Sequence, residues 1–90
     1  MIVSVVNAKF IKDFKLHIQF HNGESGIVDL ENVILNGSRK IFKPLKNKDY
    51  FKNFSLHSWT IVWSNDFGFA PEFLYELALS QNKILEKVSL

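Results

Sequence analysis

The stretch FKLHIQFHNG, residues 14–23, decides how this chain is read. Phe14, Leu16, Ile18 and Phe20 fall on one face, and Lys15, His17, Gln19 and His21 on the other. That is the two-residue period of a half-buried strand. Asn22-Gly23 follows, the dipeptide that most readily supplies the positive φ angles of a tight hairpin turn. Residues 24–30 resume as the returning strand, with Val28 and Leu30 inward and Asp29 outward. Upstream, residues 2–11 are rich in β-branched side chains, and Lys12-Asp13 is short enough to join them to the second strand. Three consecutive antiparallel strands result.

Beyond Leu30 the pattern changes. Residues 31–38 contain Asn36-Gly37-Ser38, a loop signature. Lys43-Pro44 excludes a regular helix through that point, since proline biases its predecessor away from the helical region. Asn47 can cap a short helix from residue 48 to about 54, with Tyr50, Phe51 and Phe54 at spacings of three and four. Residues 56–64 read as a further strand, where Trp59, Ile61 and Trp63 alternate with Ser58, Thr60 and Val62. Asn65-Asp66-Phe67-Gly68 is a turn. Pro71 then opens a helix whose apolar stripe is Phe73, Leu74, Leu77 and Ala78, with Glu72 and Glu76 near its start. The segment at Ile84, Leu85 and Val88 either continues that helix or forms a second one. The fold class is α+β: a small antiparallel sheet, made of a three-strand N-terminal meander plus one or two further strands, with a short middle helix and a C-terminal helix.

Ninety residues make a single domain, 1–90, with a core over about 2–78 and a helical tail over 79–90. Hydrophobic residues are 47% and charged residues 22%, which excludes a disordered or fibrous chain. No apolar run approaches the ~20 residues of a membrane span, and no charged lead precedes the apolar N-terminus. The absence of cysteine excludes disulfides, thiol catalysis and cysteine-held metals, and fits a cytoplasmic protein. The net charge of +2 is small, yet Arg39, Lys40, Lys43, Lys46, Lys48 and Lys52 are opposed within their stretch only by Asp49. Interleaved with Phe42, Tyr50 and Phe51, they form the mixture a single-strand nucleic-acid binder would use. The ordinary alternative is a solvated segment whose aromatics point into the core.

Seven short blocks occur in order: Phe14-Lys15-Leu16; Phe20-His21-Asn22-Gly23-Glu24; Asp29-Leu30; Ile41-Phe42-Lys43-Pro44-Leu45; Tyr50-Phe51; Val62-Trp63; and Ala70-Pro71-Glu72-Phe73-Leu74-Tyr75-Glu76. Together they resemble the bacterial domain of unknown function 2442 family over residues 2–78. The family pattern has Trp-Pro-Asn-Gly where this chain has Trp63-Ser64-Asn65-Asp66, and often an acidic residue at Gly68. No role of that loop is therefore carried over. The resemblance implies a small α+β domain with no established activity or catalytic residue. It also implies relatives fused to a helix-turn-helix domain, and others encoded beside a small uncharacterised protein in a suggested toxin–antitoxin arrangement. This chain reads as the stand-alone version.

Catalytic constellations are weak. His17 and His21 lie roughly 13 Å apart along one strand, too far to share a metal. His57 could approach either, but two or three histidines without a placed carboxylate are a poor ligand set. A histidine-dependent ribonuclease is the one enzymatic alternative. Among the carboxylates Asp29, Glu31, Asp66, Glu72 and Glu76, the pair at 72 and 76 reads as a helix-start preference, and Asp66 as a turn residue bonding its own backbone. No phosphate-cradling glycine loop is present, so neither cofactor nor metal is expected. Trp59 and Trp63 share one face of the 56–64 strand, where two indoles could form a binding patch, Trp63 reading as core and Trp59 as either core or binding patch.

The leading expectation is a non-enzymatic protein-interaction module, with Trp59, Ile84, Leu85 and Val88 as the contact residues. Its finer form is an antitoxin-like partner of a small neighbouring protein, with self-association as another outcome. The second expectation is a nucleic-acid accessory domain using Arg39, Lys40, Lys43, Lys46, Lys48 and Lys52.

Overall fold

The structure, a computed structural model, describes residues 3–89, with side chains as far as Gln81. Strands β1 (Val5–Lys12), β2 (Lys15–Phe20) and β3 (Ser25–Asp29) form an antiparallel sheet in the order β1-β2-β3. The alternation in β2 holds: Phe14, Leu16, Ile18 and Phe20 are all buried. The first turn is Asp13-Phe14, one residue later than the sequence suggests, with Lys12 opposite Lys15. Asp13 takes φ +50°, which a short polar side chain tolerates. The second turn is a three-residue loop, His21-Asn22-Gly23. Gly23 N donates to Phe20 O at 3.1 Å and Phe20 N to Glu24 O at 2.8 Å. Of that loop only Gly23 has positive φ, at +89°, while Asn22 Oδ1 accepts from Glu24 N at 3.1 Å.

The segment read as a loop from residue 31 begins with a helix, α1 (Glu31–Leu35). Asp29 Oδ1 accepts from Glu31 N at 3.0 Å, and Ile34 N donates to Leu30 O, so buried Leu30 and Ile34 share one turn. Two 3-10 turns, Lys40–Phe42 and Pro44–Lys46, precede α2 (Lys48–Lys52). Lys43 between them is helical at φ −57°, ψ −48°, against the bias imposed by Pro44. Burying both Phe42 and Leu45 outweighs that bias. Asn47 caps α2 as expected, its Oδ1 accepting from Tyr50 N at 3.1 Å.

Residues 56–64 are not one strand. They belong to a hairpin of β4 (Ser55–His57) and β5 (Thr60–Val62), turned by Ser58-Trp59 at φ +52° and +73°. Trp59 and Trp63 therefore do not share a face: Trp59 is 73% exposed and Trp63 only 2%. On the other edge of β5, Val62 bridges to Gly68 and Trp63 N donates to Phe67 O at 2.9 Å. The side chain that bonds the backbone within that loop is Asn65, its Oδ1 accepting from Phe67 N at 3.2 Å, while Asp66 takes part through its own N, which donates to Trp63 O at 2.9 Å. Asp66 takes φ +65° where the family pattern has glycine. A Cβ on Gly68 would lie 2.7 Å from Ile61 O, so that position admits glycine alone in this packing.

Helix α3 (Pro71–Ser89) lies against β3 and buries Leu74 and Ala78. Its backbone runs unbroken through the C-terminal segment, one of the two forms expected there. The side chains of Ile84, Leu85 and Val88 lie outside the described residues. Tyr75 sets its ring edge-on to Phe20 at 5.1 Å and donates its hydroxyl to Glu24 Oε1, tying α3 to the second turn. Gln81 does more. Its Oε1 accepts from Asp29 N at 2.8 Å and its Nε2 donates to Asp29 O at 3.1 Å, as a neighbouring strand would. Gln81→Ala should cost about 1–3 kcal/mol in urea denaturation, at roughly 0.5–1.5 kcal/mol for each of the two bonds. It should also raise self-association in sedimentation, because the uncovered edge can pair with another chain.

Candidate interaction surface

Past the β4–β5 turn, Ile61 and Trp63 are both buried in the core. Trp63 packs among Phe51, Phe54, Phe67 and Phe69, and its Nε1 donates to Phe51 O at 2.7 Å. Thr60 Oγ1 donates to Phe69 O at 2.6 Å, and Val5 N donates to Trp59 O at 2.8 Å. The turn is thereby pinned to the start of β1. Both turn residues have positive φ, the pattern of a type I′ turn that favours Asn-Gly. Ser58 and Trp59 sit there instead. A bulky side chain in this region is an outlier that costs on the order of 1–3 kcal/mol and persists only where surroundings enforce it.

The indole rises between two open depressions. One, of about 410 Å³, is lined by Val3, Ser4, Ser58, Trp59, Pro71 and Glu72. The other, of about 360 Å³, is lined by Val5, Val6, Leu56, His57, Ser58 and Trp59. Val6 (53% exposed) and Leu56 (43%) extend the apolar surface around Trp59. Sequence reading missed both. Val6 sits at a register shift in β1 that turns it outward, and Leu56 was placed in a longer strand. Neither event has a local signal.

The six basic residues are all exposed, but their aromatic neighbours are not ranged beside them in solvent. Phe42 and Phe51 are buried, and Tyr50 is half-buried, its hydroxyl accepting from Ser64 Oγ and Asn65 N at 3.1 Å each. Two cations are already paired. Lys48 Nζ donates to Asp13 Oδ1 at 3.0 Å, and Lys52 lies 3.5 Å from Asp49. The Lys48 hydrogen bond and charge hold the Asp13 carboxyl below its ordinary range. Arg39 lies 5.7 Å over the Phe42 ring. Among the described residues, Lys40, Lys43 and Lys46 form no salt bridge.

The histidines stay dispersed over different elements. His17 is half-buried within β2, His57 ends β4, and His21 follows β2 with Nδ1 accepting from Ser4 N at 3.1 Å. Among the described residues no three His, Asp or Glu side chains could hold a metal ion. Asp29 serves α1 and lies 3.9 Å from Lys15, while Glu31, Asp66, Glu72 and Glu76 are exposed. No described helix is long and apolar enough to cross a membrane.

The fold is thus a small α+β domain: a three-stranded antiparallel meander, a second two-stranded sheet, short middle helices and a C-terminal helix. The model for the family described as Protein of unknown function (DUF2442) matches residues 5–80, and the chain belongs to that family. No curated protein matches it. The crystal structure of the putative DNA binding protein NE0471 from Nitrosomonas europaea ATCC 19718 has a similar fold, with a TM-score of 0.78 at 15% identity. The likeness covers 92% of this chain and 53% of that one, so this chain spans about half its length. At that identity the likeness concerns the fold alone.

Proposed function

We propose that this domain is a non-enzymatic protein-interaction module whose contact residue is Trp59. The observation that carries the reading is a 73% exposed indole held in a left-handed turn, beside exposed Val6 and Leu56. Folding alone gains nothing from placing Trp at that position, where Gly would relieve the backbone. Tryptophan is, however, among the residues most enriched where binding energy concentrates. Ile84, Leu85 and Val88 extend the proposal along α3. The first partner to test is the small neighbouring protein implied by the family, with this chain in the antitoxin-like part and a second copy of the chain as the competing partner. Tagged wild-type and Trp59→Ala proteins, captured from the native host after nuclease treatment, provide the test. One stoichiometric protein held by the wild type and lost from the variant supports the reading. Equal capture by both overturns it.

A second reading is favoured by Lys40, Lys43 and Lys46, which are exposed and outside any salt bridge among the described residues. They support nucleic-acid binding through phosphates, and the DNA-binding description of the Nitrosomonas protein points the same way. Affinity should then fall steeply with salt, because released counterions supply the binding free energy.

A further inference from the structure

A third depression lies away from Trp59, where the first 3-10 turn meets the segment leading into α3. It is an open groove of about 300 Å³, lined by Arg39, Phe42, Phe67, Phe69 and Phe73 among others. The rings are ordered. Phe42 and Phe69 are stacked at 6.2 Å and 16°, and Phe69 and Phe73 at 5.6 Å and 19°, giving a near-parallel row. Phe67 meets Phe42 edge-on at 5.4 Å. Phe42 and Phe69 are buried, and the row reaches solvent at Phe73, 36% exposed, with Phe67 half-buried. Arg39 lies over Phe42, no acidic residue lines the groove among the described residues, and exposed Lys40 and Lys43 lie close to Phe42 in the chain.

A partly exposed ring edge beside Arg39, with no salt bridge to that cation among the described residues, complements a ligand that is itself flat, apolar-faced and anionic. We infer that this groove stacks an unpaired base of single-stranded nucleic acid, with Arg39, Lys40 and Lys43 meeting the adjoining phosphates. A duplex keeps its base faces covered and offers the groove nothing to stack. An apolar peptide anchor would use the rings but leave the cations without a role. This inference rests on the nucleic-acid reading and adds to it a place for the base.

The test uses the full chain, an oligo-dT strand and an abasic strand of equal length and charge, compared at low salt. Stacking of one base predicts that oligo-dT binds about tenfold or more tightly than the abasic strand. Phe73→Ala should abolish that preference while leaving abasic binding and its salt dependence unchanged, and Phe73→Tyr should restore it. Phe73→Leu serves if the alanine variant does not fold. Equal affinity for the two strands, or a preference that survives Phe73→Ala, overturns the groove and leaves phosphate binding standing. No binding to either strand overturns both, and leaves the rings to an apolar peptide.

Discussion

Trp63→Ala is expected to destabilise the domain by about 4–6 kcal/mol in urea or thermal denaturation. Removing a buried tryptophan costs roughly 3–5 kcal/mol through lost transfer energy and the cavity left behind. Here the cavity would open between Phe51, Phe54, Phe67 and Phe69, which reach Trp63 from α2, from the residues just after it, and from the segment after β5. No one element can close it. The Phe51 carbonyl would also lose its Nε1 donor in a buried setting, adding on the order of 1 kcal/mol. Against a total stability of about 5–15 kcal/mol, such a loss leaves much of the population unfolded. Trp63→Phe separates the two contributions. It keeps most of the ring contact, abandons the hydrogen bond, and should cost about 1–3 kcal/mol. A loss below about 2 kcal/mol in Trp63→Ala would mean that the aromatic cluster is not the centre of the fold.

The second large effect has opposite signs for stability and for binding. Ser58→Asn with Trp59→Gly installs the turn pair that β4 and β5 geometrically ask for. Both native residues have positive φ, and relieving that strain should raise stability by about 1 kcal/mol after the entropic cost of glycine. The bond from Val5 N to Trp59 O uses only the backbone and survives the change. With Trp59 as the proposed contact residue, affinity for its protein partner should fall by at least about 2 kcal/mol, roughly 30-fold, as expected when a central tryptophan anchor is removed. Denaturation and titration of the same protein check both signs. A variant that is less stable than wild type would show the indole to be a structural element. A more stable variant with full affinity would remove Trp59 from the interface.

The meander was legible because its signal is local. Successive residues of β2 must face opposite sides, so Leu16, Ile18 and Phe20 declare a buried face in sequence alone. The Asn47 cap and Pro71 at the start of α3 are local too. Helix α1 was missed because Asn36-Gly37-Ser38 dominates residues 31–38. Its own cue was Asp29 reaching Glu31 N, with Leu30 and Ile34 one turn apart. The basic stretch was legible as charge, but which cations are already matched was not. The Lys48 partner, Asp13, comes from a turn distant in sequence and close only after folding.

Sequence by itself determined the three-stranded sheet, the capped middle helix and the start of the C-terminal helix at Pro71. Each rests on periodicity, a cap, or a proline acting within a few residues. Tertiary structure alone decided the surface. An alternating run cannot say whether it stays straight, and Trp59, Ile61 and Trp63 would serve one continuous strand equally well. The chain turns at Ser58-Trp59 because Trp63 must reach the Phe51 carbonyl, Thr60 must reach Phe69, and Val5 must find the Trp59 carbonyl. Those long-range bonds outweigh the local preference against a left-handed tryptophan, and they are what set its indole in solvent.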